Sequence, residues 1–225
     1  TIIIFHKHTI CNVMCLFQMT VWWRALILLC CILNCVDSAP SPVSQNNEFK
    51  NSFRLTRSSR TRVQQLLKKY KEQLLGNKHF EDRSRQLKDL PSLSTDFYSW
   101  LKLTDWERLY AAFWDMQAYW NMLEWKRKEL EREAKERSAS RTTLTRSINH
   151  IQLDLRDLMN QVSSQVSTRS WTKPTSAPVG TPLNPETSSK TVWDRRVEGY
   201  IILRDLDLYL TKLARDFLLL SNKSH

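Results

Sequence analysis

LTRSINHIQLDLRDLMNQVSSQV, residues 144–166, decides the fold. Leu144, Ile148, Ile151, Leu155, Leu158, Val162 and Val166 recur every three or four positions, with mostly polar side chains between them. In a helix of 3.6 residues per turn that spacing draws one narrow apolar seam, which has to be covered by other helices. The same step returns near the C-terminus in Leu203, Leu206, Leu210, Leu213, Phe217 and Leu220. No stretch alternates with period two over a useful length. Three glycines in 225 residues are too few for a turn-rich sheet fold or a glycine-lined nucleotide site. The chain reads as all-α.

Two further stretches lie upstream. Thr104 with Glu107 three residues on is a capping box that opens a helix. Trp106, Leu109, Phe113, Trp120, Leu123 and Leu130 form the stripe of that helix, with Tyr110, Trp114, Tyr119 and Trp125 beside it. The dense alternating charges of residues 124–137 read as a solvated helix end. The first stretch carries Val63, Leu67, Tyr70 and Leu74, widened by Leu66 and Leu75, and Gly76-Asn77 stops it as a C-cap does. Its start is open, Phe49 and Phe53 continuing the pattern backwards. Thr191 with Asp194 offers the last helix a second capping box.

The connections are unequal. Helices of about 25–30 residues rise roughly 40–45 Å, and a link of about six residues between the second and third reaches at most ~20 Å. Those two helices must therefore run antiparallel. The links over about 77–104 and 167–191 are long enough to cross the bundle end to end, although a long loop can also make a short return. The second of them is rich in Pro, Ser and Thr, with Pro174, Pro178, Pro182 and Pro185. Long–short–long is the pattern of a long-chain four-helix bundle with up-up-down-down topology and two long crossover loops.

All five cysteines fall within the first 35 positions. Arg24 precedes the apolar run of residues 25–33, which is shorter than a membrane span and matches the core of a secretory signal. Val36 and Ser38 place small residues where a signal peptidase reads. The expectation is therefore a start at Met19, upstream residues before it, cleavage after Ser38, and one domain over residues 39–225. An uncleaved anchor is the alternative. The domain holds no cysteine, so its core alone must hold it.

Chemistry has little to work with. His79, His150 and His225 are the only histidines after residue 38, and none follows a Glu at the spacing of di-iron bundles. No metal site, cofactor or catalytic residue is expected, and His150 reads as a surface side chain. The net charge of +11 fits nucleic acid, an anionic membrane or plain extracellular solubility equally well.

Two segments are more specific. Trp100-Leu101-Lys102-Leu103-Thr104-Asp105-Trp106-Glu107-Arg108-Leu109 resembles the loop-to-helix junction of ciliary neurotrophic factor, Trp-x-x-Leu-Thr-x-x-Glu-Arg-Leu. Trp193-Asp194-Arg195-Arg196-Val197-Glu198-Gly199 is similar to the same family's Phe-x-x-Lys segment and the glycine three residues after its lysine. The resemblance is to interleukin-6-type cytokines, in the branch of ciliary neurotrophic factor, cardiotrophin-like cytokine and leukaemia inhibitory factor. It implies a secreted ligand with no chemistry of its own. Such a ligand assembles glycoprotein-130-type and leukaemia-inhibitory-factor-receptor-type chains, in some members with an alpha receptor, and triggers Janus kinase/STAT signalling. It implies neither nucleic-acid binding nor membrane insertion after signal cleavage.

By that resemblance Trp193 and Arg196 are the contact for the leukaemia inhibitory factor receptor, and Trp100 belongs to an alpha-receptor surface. The residues themselves leave room for plainer readings. Trp193 and Arg196, three apart, share a helix face and are types that often carry interface energy. Either they protrude together at the bundle end, or Trp193 plugs the first turn against the core. Trp100 either faces a receptor or folds under the crossover. Gly199 costs its helix about 1 kcal/mol relative to alanine, which points to close approach by another backbone or a partner or, more plainly, to tight helix packing. A secreted amphipathic lipid-coating protein is the rival reading, although these seams are narrower than lipid-binding stripes.

Overall fold

The computed structural model describes residues 42–93, 97–137, 141–167 and 191–223. The expected signal and its cysteines, the cleavage point after Ser38 and the prolines of the second crossover lie outside these residues. Helix α1 is Pro42–Tyr70, continued by a wide π-helical turn, Lys71–Leu75; a short α2 is Phe97–Lys102. The long helices α3, α4 and α5 are Asp105–Arg137, Arg141–Ser167 and Val192–Asn222. Among the described residues there is no strand.

Cross-helix bonds fix the directions. Arg60 of α1 pairs with Asp207 of α5 at 2.9 Å, while the later Tyr70 reaches the earlier Arg196, so α1 and α5 are antiparallel. Ser52 bonds Gln161 and the later Arg62 pairs with the earlier Asp154, so α1 and α4 are antiparallel. Arg108 pairs with Asp216, and Lys126 donates to the carbonyl of Arg195, which opposes α3 to α5. Gln152 of α4 reaches Trp120 and Glu124 of α3 across the short link. Helices α1 and α3 thus point one way and α4 and α5 the other. This is the up-up-down-down bundle, with every packed neighbour antiparallel.

The expected stops and starts are in place. Gly76 sits at φ 67°, where a side chain would be strained, and its N–H caps the carbonyl of Lys71. Thr104 and Glu107 exchange their capping bonds, the threonine amide donating to the carboxylate at 2.9 Å and Glu107 N–H to the hydroxyl at 3.2 Å.

The seams of α4 and α5 are buried as read, with Val166 at the edge. Each fully buried leucine among them contributes about 1.5–3 kcal/mol. Helix α3 is rotated from its expected stripe. Leu109, Met116, Tyr119, Leu123 and Leu130 are buried, whereas Trp106, Phe113 and Trp120 are only partly covered. The large rings sit on the flanks, where their area covers the seam, and Tyr119 packs tilted on Tyr209 at 5.1 Å in the centre.

The first crossover lies along α5. The backbone of Asp82 bonds Tyr200, and Arg204 donates to the carbonyls of Asp82 and Arg85. Farther on, Trp100 reaches Asp216.

Candidate functional site

The tip where α1 ends and α5 begins carries the first candidate pair. Thr191 accepts from the Asp194 N–H at 3.1 Å, and Asp194 accepts from the Thr191 N–H at 3.3 Å, so the turn is a closed capping box. The threonine hydroxyl, with its backbone amide and the nearby Arg85, holds the Asp194 carboxyl below its usual range. On this rigid turn Trp193 is 46% exposed. Its ring meets the edge of Phe80 at 5.9 Å, and Phe80 meets Tyr200 at 5.0 Å. A shallow recess beside the indole is lined by Phe80, Arg83, Arg85 and Val197. Arg83 is almost wholly exposed, and Arg85 ties the loop to the helix at 3.6 Å from Asp194.

Arg196 does not project beside Trp193 as a joint protrusion would require. It is partly buried, and its guanidinium donates to the carbonyl of Leu74 at 3.1 Å. Leu74 lies at the end of the π turn, one residue before its last, where helix carbonyls lack partners, so the cation caps α1. The Tyr70 hydroxyl donates to the Arg196 carbonyl at 3.0 Å and pins the same residue from below. The indole therefore faces outward and the guanidinium inward.

Gly199 explains the closeness. A Cβ there would lie 2.1 Å from the Tyr70 hydroxyl and 2.4 Å from Cε of Lys126. The bare backbone admits side chains from α1 and α3 at once, so tight helix packing, and not another backbone, occupies the space. Lys126 is only 2% exposed. It donates to Glu129 at 2.7 Å and to the Arg195 carbonyl at 2.8 Å, while Arg195 stands 3.0 Å from the same glutamate. Burial pushes the Lys126 ammonium down and the Tyr70 phenol up. The charged run of α3 is thus not solvated throughout, because Lys126 and Glu129 sit inside. Its alternation hid them; the one available signal was Gly199, since a gap in one helix needs something to fill it.

Trp100 stands at the opposite tip. Its indole N–H donates to Asp216 at 2.7 Å, and its ring lies against the Arg108 guanidinium at 4.7 Å. Arg108, buried, also donates to Asp216 at 2.6 Å and to the Trp100 carbonyl at 2.9 Å. Trp100 is folded under the crossover, and among the described side chains of α2 those of Tyr98, Ser99, Leu101 and Lys102 are exposed. The three candidates are not brought together. Asp115, near Asp216 and Lys212, has its carboxyl pushed up to about 6 by burial. His150 is exposed.

Among the described residues no three His, Cys, Asp or Glu side chains group as a metal site would need, and no helix is long and apolar enough to cross a membrane. The tip exposes one aromatic ring on a capped turn. The interleukin 11 family model matches residues 40–224. The chain belongs to the interleukin 11 family. It is therefore an interleukin-6-type cytokine, from a family of ligands and not of enzymes, and such cytokines act on cell-surface receptors. The match names interleukin 11, so it bears out the resemblance at the level of the wider family and does not confirm the ciliary neurotrophic factor branch. No curated protein sequence matches the chain closely enough to count as a relative.

Proposed function

We propose that this cytokine is released from cells and signals by assembling glycoprotein-130-type receptor chains, whose associated Janus kinases then activate STAT factors. The matched stretch begins at residue 40, directly after the run read as a secretory signal, which supports release with a domain over 39–225. The observation that carries the reading is Trp193. An aromatic side chain 46% exposed, braced by Phe80 and carried on a capped helix start, is a preorganised anchor. The leukaemia inhibitory factor receptor contact drew on Trp193 and Arg196 acting as a pair. With Arg196 bonded to Leu74, that reading is left with Trp193 alone, and we keep glycoprotein-130-type chains as the partner. For Trp100 the bond to Asp216 favours a positioning role, holding α2 so that Tyr98 and Leu101 face outward for an alpha receptor.

The test separates the two residues. Trp193→Ala should abolish STAT phosphorylation in receptor-bearing cells and binding to a soluble glycoprotein-130-type ectodomain, with helicity and melting little changed. Arg196→Ala should lower melting while the folded fraction still binds. Full signalling by Trp193→Ala would remove the site assignment.

A further inference from the structure

Helix α1 carries a second feature that receptor recognition at the tip does not use. From Phe49 to Lys71 the chain has eight cations and no acid: Lys50, Arg54, Arg57, Arg60, Arg62, Lys68, Lys69 and Lys71. The buried row of this helix is Ser52, Thr56, Ser59, Val63, Leu66 and Tyr70. Lys50, Arg54, Arg57 and Lys68, stepping by helical repeats, lie on the opposite side, and all four are exposed. Arg60 and Arg62 are tied to Asp207 and Asp154 on the flanks. Arg57 rests over the Phe53 ring at 5.7 Å. The row from Lys50 to Lys68 is about 27 Å long at 1.5 Å per residue. It runs into a recess lined by Gln64, Leu67, Lys68, Lys71, Lys78 and His79.

We propose that this ridge and its terminal recess bind a sulfated glycosaminoglycan chain, along the helix axis. A straight, rigid, single-sign row complements a straight polyanion, and its attraction is electrostatic and non-directional along the length. An extracellular polyanion is the one a released cytokine meets; the choice of source, though not the charge geometry, rests on the function proposed above. The ridge offers no fully exposed ring on which bases would stack, which disfavours single-stranded nucleic acid. The apolar side of α1 is closed into the bundle, so no face remains to enter a bilayer.

The experiment titrates purified protein with a heparin-derived oligosaccharide at several salt concentrations. Two variants carry the same loss of charge: Lys50→Gln, Arg54→Gln, Arg57→Gln and Lys68→Gln on the ridge, and Lys88→Gln, Lys102→Gln, Lys128→Gln and Arg132→Gln elsewhere. The ridge variant should bind at least about tenfold more weakly, with a salt slope lower by about three, since each lost contact removes roughly 0.7–0.9 from the slope. The control set should lose less than about threefold at unchanged helicity. Equal losses in both sets would overturn the proposal, as would equal affinity for desulfated chains. Tighter binding to phosphatidylserine vesicles or single-stranded DNA, with the same ridge dependence, would also overturn it. None of these outcomes touches the receptor reading, which Trp193→Ala tests by itself.

Discussion

The two tips of the bundle solve the same problem in opposite ways. Each buries charge where helices cross, and each carries one candidate tryptophan. At the far tip the tryptophan belongs to the solution: Trp100 donates to Asp216 and covers Arg108, so removing it opens the cluster. At the near tip the cluster forms without the tryptophan. Tyr70 and Lys126 fill the gap left by Gly199 and bond the carbonyls of Arg196 and Arg195, Glu129 pairs with Lys126 and Arg195, and Trp193 stands outside. A side chain that the fold does not need is one a partner can take hold of.

The comparison breaks most readily at the far tip. Arg108→Ala leaves Asp216 buried beside an indole with its cation gone, and should cost about 3–5 kcal/mol, read by denaturant titration. Protection of the α2 amides from exchange should fall with it. If stability is unchanged, the buried pair does not hold that end. The near tip answers next. Gly199→Ala gains helix propensity, yet its methyl meets the Tyr70 ring and Lys126. The clash should win, lowering stability by about 1–3 kcal/mol, and Tyr70→Phe in the same background should restore part of it by removing the nearest atom.

A smaller effect tells the tips apart by pH. The Asp115 carboxyl is pushed up to about 6 by burial and by Asp216, against the pull of Lys212. An unfolded chain releases that proton near pH 4, so the folded protein holds it between about pH 4 and 6. Asp115 therefore lowers stability as pH rises through that window, and the deficit persists above it. Asp115→Asn should be more stable than the parent at pH 7, by about 1–2 kcal/mol, and equal to it below pH 4. The smallest change in stability should come from Trp193→Ala, about 1 kcal/mol or less, with the largest loss of signalling.

Helices α4 and α5 were legible because every seam position is aliphatic or Phe217. Both capping boxes were legible because threonine and an acid three residues apart leave a local mark. The start of α1 was not, for a physical reason. Its buried face there is Ser52, Thr56 and Ser59, whose hydroxyls donate to carbonyls one turn back at 3.2, 2.7 and 2.8 Å, so polar residues occupy core positions without an apolar rhythm. Helix α3 misled through size: rings on its flanks outweighed Ala112 and Met116, which are buried. For the site, the sequence left Trp193 open between protruding and plugging the first turn, and its 46% exposure is what the structure adds. The inward turn of Arg196 was not legible either, since it depends on where the π turn leaves the Leu74 carbonyl.

The edge contact between Phe80 and Trp193 joins segments far apart along the polypeptide. The patch exists only while the first crossover is seated on α5. A linear peptide copied from either segment would make a poor antagonist, and an antibody raised against the native tip would fall silent on a denaturing blot.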